Sequence, residues 1–116
     1  MNNKWKLYEI EAANYLRKKK YNLLEANYRS RFGEIDLIVH NKSYICFVEV
    51  KQRDEASLAL PREFVDPAKQ KKLILTAGQY IANNGIKLQP RFDVIEVYTK
   101  NNQIKSIKHL ENAFEL

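Results

Sequence analysis

Apolar residues recur at helical spacing from Trp5 to Lys20: Leu7, Ile10, Ala13 and Leu16, with Ala12, form one stripe, and Lys4, Lys6, Asn14, Arg17 and Lys18 face elsewhere. The pattern predicts an amphipathic first helix. Its basic end, Arg17-Lys18-Lys19-Lys20, suits a helix C-terminus, where cations meet the negative end of the dipole. The period then shortens. Tyr21 to Tyr28 reads as a short strand of weak alternation. Phe32 to His40 is clearer, with Ile35, Leu37 and Val39 alternating with Glu34, Asp36 and Ile38, and Tyr44 to Lys51 is rich in β-branched and aromatic residues. His40-Asn41-Lys42-Ser43 between them predicts a tight hairpin turn.

Gln52 to Pro61 is polar and irregular and reads as a loop. Asp66-Pro67 then places a capping carboxylate before a proline at the first helical position, opening a helix from Pro67 to Asn83 with apolar Leu73, Ala77, Tyr80 and Ile81. Asn83-Asn84-Gly85 supplies a left-handed stop. Pro90 to Tyr98 reads as a strand, Lys100-Asn101-Asn102 as a turn, Ile104 to Lys108 as a short strand, and Glu111 to Phe114 as a closing turn or helix. The order α-β-β-β-α-β-β predicts one α/β domain over residues 1–116, a mixed central sheet flanked by helices.

Composition narrows the chemistry. The 116 residues carry a formal net charge of +6, and the pI is about 9.4. Such an excess favours a polyanionic partner, because Lys and Arg gain affinity by releasing counterions from phosphates, although it also suits mere solubility. Met1 to Lys20 has no apolar core of a signal peptide, and no run approaches a membrane span, so a cytoplasmic protein with no membrane partner is expected. The single cysteine, Cys46, sits in an apolar run and reads as a small buried hydrophobe. With two histidines, His40 and His109, and no pair at ligand spacing, zinc is excluded as an expectation.

The candidate chemistry lies in Gly33-Glu34-Ile35-Asp36-Leu37-Ile38 and Phe47-Val48-Glu49-Val50-Lys51. Alternation puts Glu34, Asp36 and Ile38 on one face, opposite Ile35, Leu37 and Val39, and puts Glu49 and Lys51 together on the next strand. A two-residue turn on Asn41 and Lys42 would pair His40 with Ser43, Asp36 with Phe47 and Glu34 with Glu49. Residues directly opposite lie about 5 Å apart, so Glu34, Asp36, Glu49 and Lys51 would converge. Clustered carboxylates repel, and Mg²⁺ (or Mn²⁺), which takes one or two carboxylates plus waters and phosphate oxygens, would relieve them. The same pattern also fits an edge hairpin with a solvated charged face. Arg29, Arg31 and Arg53 flank these strands as candidate phosphate contacts or as ion-pair partners of Glu34, and Lys69 and Gln70 open the second helix where a phosphate meets the dipole. Trp5 and the seven tyrosines offer stacking surfaces, with Tyr15, Tyr44 and Tyr80 read mainly as core. The charges of Arg91-Phe92-Asp93 are expected to pair at a sheet edge.

With these motifs the chain resembles the YraN-type family of uncharacterised bacterial proteins, itself similar to the Holliday-junction resolvases and the PD-(D/E)XK restriction-endonuclease-like superfamily. The resemblance runs through Glu9, Ala12-Ala13, Asn27, Arg29, Arg31 to Ile38, Phe47 to Lys51 with Arg53, Val65 to Lys69, Arg91 to Ile95 and Glu111 to Phe114. It implies a restriction-endonuclease-like fold in which Asp36 and Glu49 are metal ligands and Lys51 the catalytic lysine. The Val50 carbonyl would complete the metal shell, Glu9 would be the helical glutamate near the site, and Glu34 a further ligand or a residue that orients the ligands. It also implies a Mg²⁺-dependent hydrolase of DNA phosphodiesters, on branched or damaged DNA, with RNA as an alternative substrate and a homodimer as the assembly that cuts two strands. A second reading, a non-catalytic nucleic-acid-binding module that keeps the nuclease fold, stays open, since a fold does not fix a function.

Overall fold

A computed structural model describes residues 6–59 and 65–115. The order is α1 (Leu7–Lys18), β1 (Asn22–Ser30), β2 (Gly33–His40), β3 (Tyr44–Asp54), a 3₁₀ turn (Glu55–Ala59), α2 (Pro67–Asn84), β4 (Gln89–Lys100) and β5 (Gln103–Phe114). The strands form one sheet in the order β1-β2-β3-β4-β5. Only β3 and β4 pair in parallel; the other three pairs are antiparallel. A parallel pair needs a long crossover, and α2 supplies it. The mixed α/β sheet with its two helices agrees with the expected fold class.

The two helices serve different faces. Ala12, Ala13 and Leu16 of α1 pack on Leu37, Val39, Cys46, Val48, Val50, Ile95 and Val97. Leu73, Ala77 and Tyr80 of α2 pack on Ile38, Ile45, Phe47, Phe92 and Val94. Strands β3 and β4 are therefore buried on both sides, which is why they read as apolar runs rather than as clean alternations. Helix α2 begins at Asp66, whose carboxylate accepts the Lys69 N–H at 2.9 Å, and stops at Gly85 in the left-handed conformation with φ 59°. No helix among the described residues is long and apolar enough to cross a membrane.

Several sequence expectations need correction. The β2–β3 turn centres on Lys42-Ser43, not Asn41-Lys42, because the Asn41 side chain accepts the N–H groups of Ser43 and Tyr44 at 2.9 and 2.8 Å while its own N–H reaches the Tyr44 carbonyl. The register consequently moves by two: His40 faces Ile45 and Ile38 faces Phe47. A two-residue shift preserves which face each side chain takes. The polar segment after Lys51 is not loop at its start, since β3 continues to Asp54 alongside β4 before the 3₁₀ turn. Glu111 to Phe114 is the end of β5 rather than a turn or helix, and Phe114 stacks on Phe92 with ring centres 4.9 Å apart. The helical spacing from Trp5 to Lys20 yields a helix only over Leu7–Lys18; Trp5 lies outside the described residues.

Arg91 and Asp93 do not close an edge. They lie on the interior strand β4, facing α1, where Asp93 is 1% exposed. Its carboxylate accepts two bonds from Arg91, at 2.9 and 2.7 Å, the Asn112 N–H at 3.0 Å, and pairs with His109 Nε2 at 2.7 Å. Arg91 also donates to the Tyr21 hydroxyl at 2.6 Å. A buried charge is tolerated only when its lone pairs are filled in this way. Burial pushes the Asp93 carboxyl up, but the bonds from His109 and Arg91 outweigh it and hold the group below the ordinary carboxylate range.

Candidate metal and nucleic-acid site

The site is built where β2 leaves β3. Pairing between them ends at Leu37–Val48, and below it β2 pairs with β1 alone. On β1, Asn27 has left-handed backbone with φ 53° and falls between the pairs Ala26–Leu37 and Tyr28–Ile35, opposite Asp36. Asn tolerates this conformation where most side chains do not. The ribbon turns over at that point. Ala26 and Leu37 pack on the α1 side, whereas Tyr28 and Ile35 pack on the α2 side. Ile35 thus does not share a face with Leu37 and Val39, as simple alternation predicts. Asp36 occupies the crossing and looks into the gap, where its Oδ2 accepts the Val50 N–H at 2.8 Å. A side chain here takes a backbone donor that the parting strand no longer pairs.

Glu49 sits one residue before Val50 and is 7% exposed. Its Oε2 is buried, and the Lys69 ammonium from the first turn of α2 rests against it as an ion pair. Asp36 and Glu49 line the same cleft, close enough for Glu49 to act on the Asp36 carboxyl. Burial, then the bond and charge of Glu49, push the Asp36 carboxyl up to about 8, and the Val50 N–H only partly counters this. Burial pulls the Lys69 ammonium down, and the contact with Glu49 more than reverses it, so its pKa is raised.

Around this pair lies an open cleft of about 820 Å³ that reaches Lys6, Glu9, Asn27, Arg29, Glu34, Val50, Lys51 and Lys69. It continues on the α2 side past Gly33, Asp66 and Lys72 as a hollow of about 400 Å³. Glu9 is buried on α1, where its Oε1 accepts the Lys6 N–H at 3.4 Å. The structure therefore brings Glu9, Glu34, Asp36, Glu49, Val50, Lys51, Arg29 and Lys69 to one cleft. Glu34 is engaged by Arg29 at 2.9 Å, with both side chains well exposed. Arg53 lies elsewhere: its guanidinium pairs at 3.1 Å with Glu96, which is fully buried and also accepts the Tyr98 hydroxyl. Arg31 stands on the β1–β2 turn over the Phe32 ring, 5.0 Å from its centre. Gln70 is tied to the Val65 carbonyl at 2.7 Å instead of facing outward.

Among the described residues no three His, Cys, Asp or Glu side chains close into a ready-made metal cage. The donor set nonetheless fits a hard divalent cation. Two carboxylates, Asp36 and Glu49, line one cleft that is open to water, and the buried Glu49 oxygen already meets a cation, the Lys69 ammonium. Sequence reading missed Lys6, Asn27, Asp66 and Lys72 as cleft residues. For Asp66 and Lys72 the signal was available, since they lie three residues either side of Lys69 on one helix face. For Asn27 it was not, because a left-handed residue inside a strand leaves no periodic trace.

A family model for the uncharacterised protein family UPF0102 matches residues 8–97. A UPF0102 protein of Caldanaerobacter subterraneus subsp. tengcongensis is 47% identical over 89% of this chain and 87% of its own length. One from Clostridioides difficile is 46% identical over 98% and 100%, and one from Flavobacterium psychrophilum is 36% identical over 97% and 94%. Matched by the family model over residues 8–97 and by relatives over most of its length, the chain belongs to the uncharacterised protein family UPF0102.

Proposed function

We propose that this chain is a Mg²⁺-dependent nuclease, or one using Mn²⁺, that hydrolyses phosphodiester bonds in DNA. The observation that carries the reading is the placement of two largely buried carboxylates, Asp36 and Glu49, on one open cleft at the gap between β2 and β3, with Lys51 and Lys69 beside them. A nucleic-acid-binding surface has no use for two carboxylates beside a polyanion, which they repel, unless a cation joins them.

Asp36 and Glu49 would hold the ion, with the Val50 carbonyl as a further oxygen donor. Bound there, Mg²⁺ supplies an acidified water and neutralises charge at the phosphate. The Val50 N–H fixes one oxygen of the Asp36 carboxylate, and the other would be left to hold the ion. Lys51, two residues along the strand from Glu49, orients the attacking water and offsets negative charge growing on the phosphate. Glu9, close enough for its charge to raise Asp36, adds negative potential that favours the ion. Arg29, Arg31 and Lys72 contact the flanking phosphates, and the net charge of +6 draws the polyanion in.

Supercoiled plasmid and a four-way DNA junction incubated with Mg²⁺ or Mn²⁺ test this reading. Cleavage by the wild type that is abolished in Asp36→Asn, Glu49→Gln and Lys51→Met, with DNA binding retained, is expected. Binding without cleavage by the wild type would make the protein a nucleic-acid-binding module, and neither binding nor cleavage at low salt would remove nucleic acid from the account.

A further inference from the structure

Lys69 is at odds with its own helix. It occupies the third position of α2, at the positive end of the dipole, where a cation is unfavourable. Its backbone is pinned by Asp66, so only the side chain is free to choose its place. That side chain is half exposed, at 50%, yet its ammonium reaches into the cleft to the buried oxygen of Glu49. The position needs a counter-charge, because two carboxylates, Asp36 and Glu49, line that part of the cleft, and the Lys69 ammonium supplies it at Glu49 Oε2. An ammonium in contact with that oxygen and a divalent ion coordinated by it repel one another at close range.

We propose that Lys69 is an internal cation that holds Glu49 in the metal-free protein and is expelled when the divalent ion binds, swinging to the cleft mouth beside Lys72. The inference rests on the metal-site reading above and assigns its regulation. A single positive charge stabilises the carboxylate pair in the resting state, and a double charge at the same point displaces it. Once expelled, the ammonium is in position for a phosphate of the incoming strand. Metal loading and nucleic-acid binding thereby favour one another, since each supplies what the other removes from Lys69.

The test is calorimetric titration of Mg²⁺ into the wild type, Lys69→Met and Lys69→Arg, each at about pH 8.5 so that protons compete little for the carboxylates. Lys69→Met keeps the stem and removes the charge. It is expected to bind Mg²⁺ about tenfold tighter or more, since even a screened unit charge at contact is worth that much, while unfolding at a lower temperature than wild type in EDTA. Lys69→Arg keeps the charge and is expected to bind Mg²⁺ no more tightly than wild type. A merely structural lysine would leave the affinity unchanged or weaken it on removal. Equal or weaker binding by Lys69→Met beside a wild type that binds would overturn the displacement, as would tighter binding by Lys69→Arg if Lys69→Met fails to fold. Absence of binding in all three would overturn the metal site itself and the displacement with it.

Discussion

At the scale of single residues the account turns on Asp36 and Glu49, two acids that the fold forces together. Asp36 has its carboxyl pushed up to about 8, first by burial and then by Glu49. In the unfolded chain a carboxyl gives up its proton near its ordinary value of about 3.9. Between these limits the folded protein holds a proton that the unfolded chain has released, so stability in EDTA is fullest below the lower limit and falls as pH rises toward the upper one. Thermal unfolding across that range is expected to show this slope for wild type, a flatter profile for Asp36→Asn, and recovery of the alkaline loss when Mg²⁺ is added. The amide retains an oxygen for the Val50 N–H, so the change isolates the charge. A wild-type profile that rises between these limits would be inconsistent with the paired acids.

At the scale of elements the decisive feature is a fault in a strand rather than a regular one. Asn27, left-handed opposite Asp36, turns the β1–β2 ribbon over and lets β2 depart from β3. Asn27→Val places a β-branched residue in a conformation that costs an L-residue about 1–2 kcal/mol. It is expected to lower stability by that order in urea unfolding and to weaken Mg²⁺ binding, because Asp36 loses its crossing point. Asn27→Gly, which accepts the conformation freely, is expected to keep the metal affinity. Equal metal binding by the Val and Gly variants would detach the fault from the site. This is also the part of the architecture that periodicity could not reveal. Alternation predicted the strands and the partnership of Asp36 with Glu49, but assumed that Ile35 and Leu37 share a face, and the left-handed residue breaks that assumption. The capping pair Asp66-Pro67 and Gly85 were legible because their chemistry is local. The turn slipped by one residue because the Asn41 side chain, not the backbone alone, closes it.

At the scale of the whole molecule the sheet separates duties. The face toward α1 carries an ionic knot in which Arg91, His109 and the Asn112 N–H surround the buried Asp93 carboxylate. The cleft at the parting of β2 and β3 gathers Glu9, Glu34, Asp36 and Glu49, ringed by Lys6, Arg29, Lys51 and Lys69, where solvent and a ligand can reach them. Acids enclosed by their partners hold a fold together, whereas acids gathered on an open cleft are placed to meet a ligand. Composition hinted at the ring of cations, and the sequence showed the Arg91–Asp93 pair of the knot but not its distant partners, since 16 residues separate Asp93 from His109 and 70 separate Tyr21 from Arg91. The most direct measurement is a Mg²⁺ titration of wild type, Asp36→Asn and Glu49→Gln by calorimetry. One site per chain in the wild type is expected, with affinity in each variant lowered by more than the roughly 10–100-fold that loss of a ligand-orienting partner costs. Wild-type affinity retained in both variants, or no binding by the folded wild type, would contradict the account.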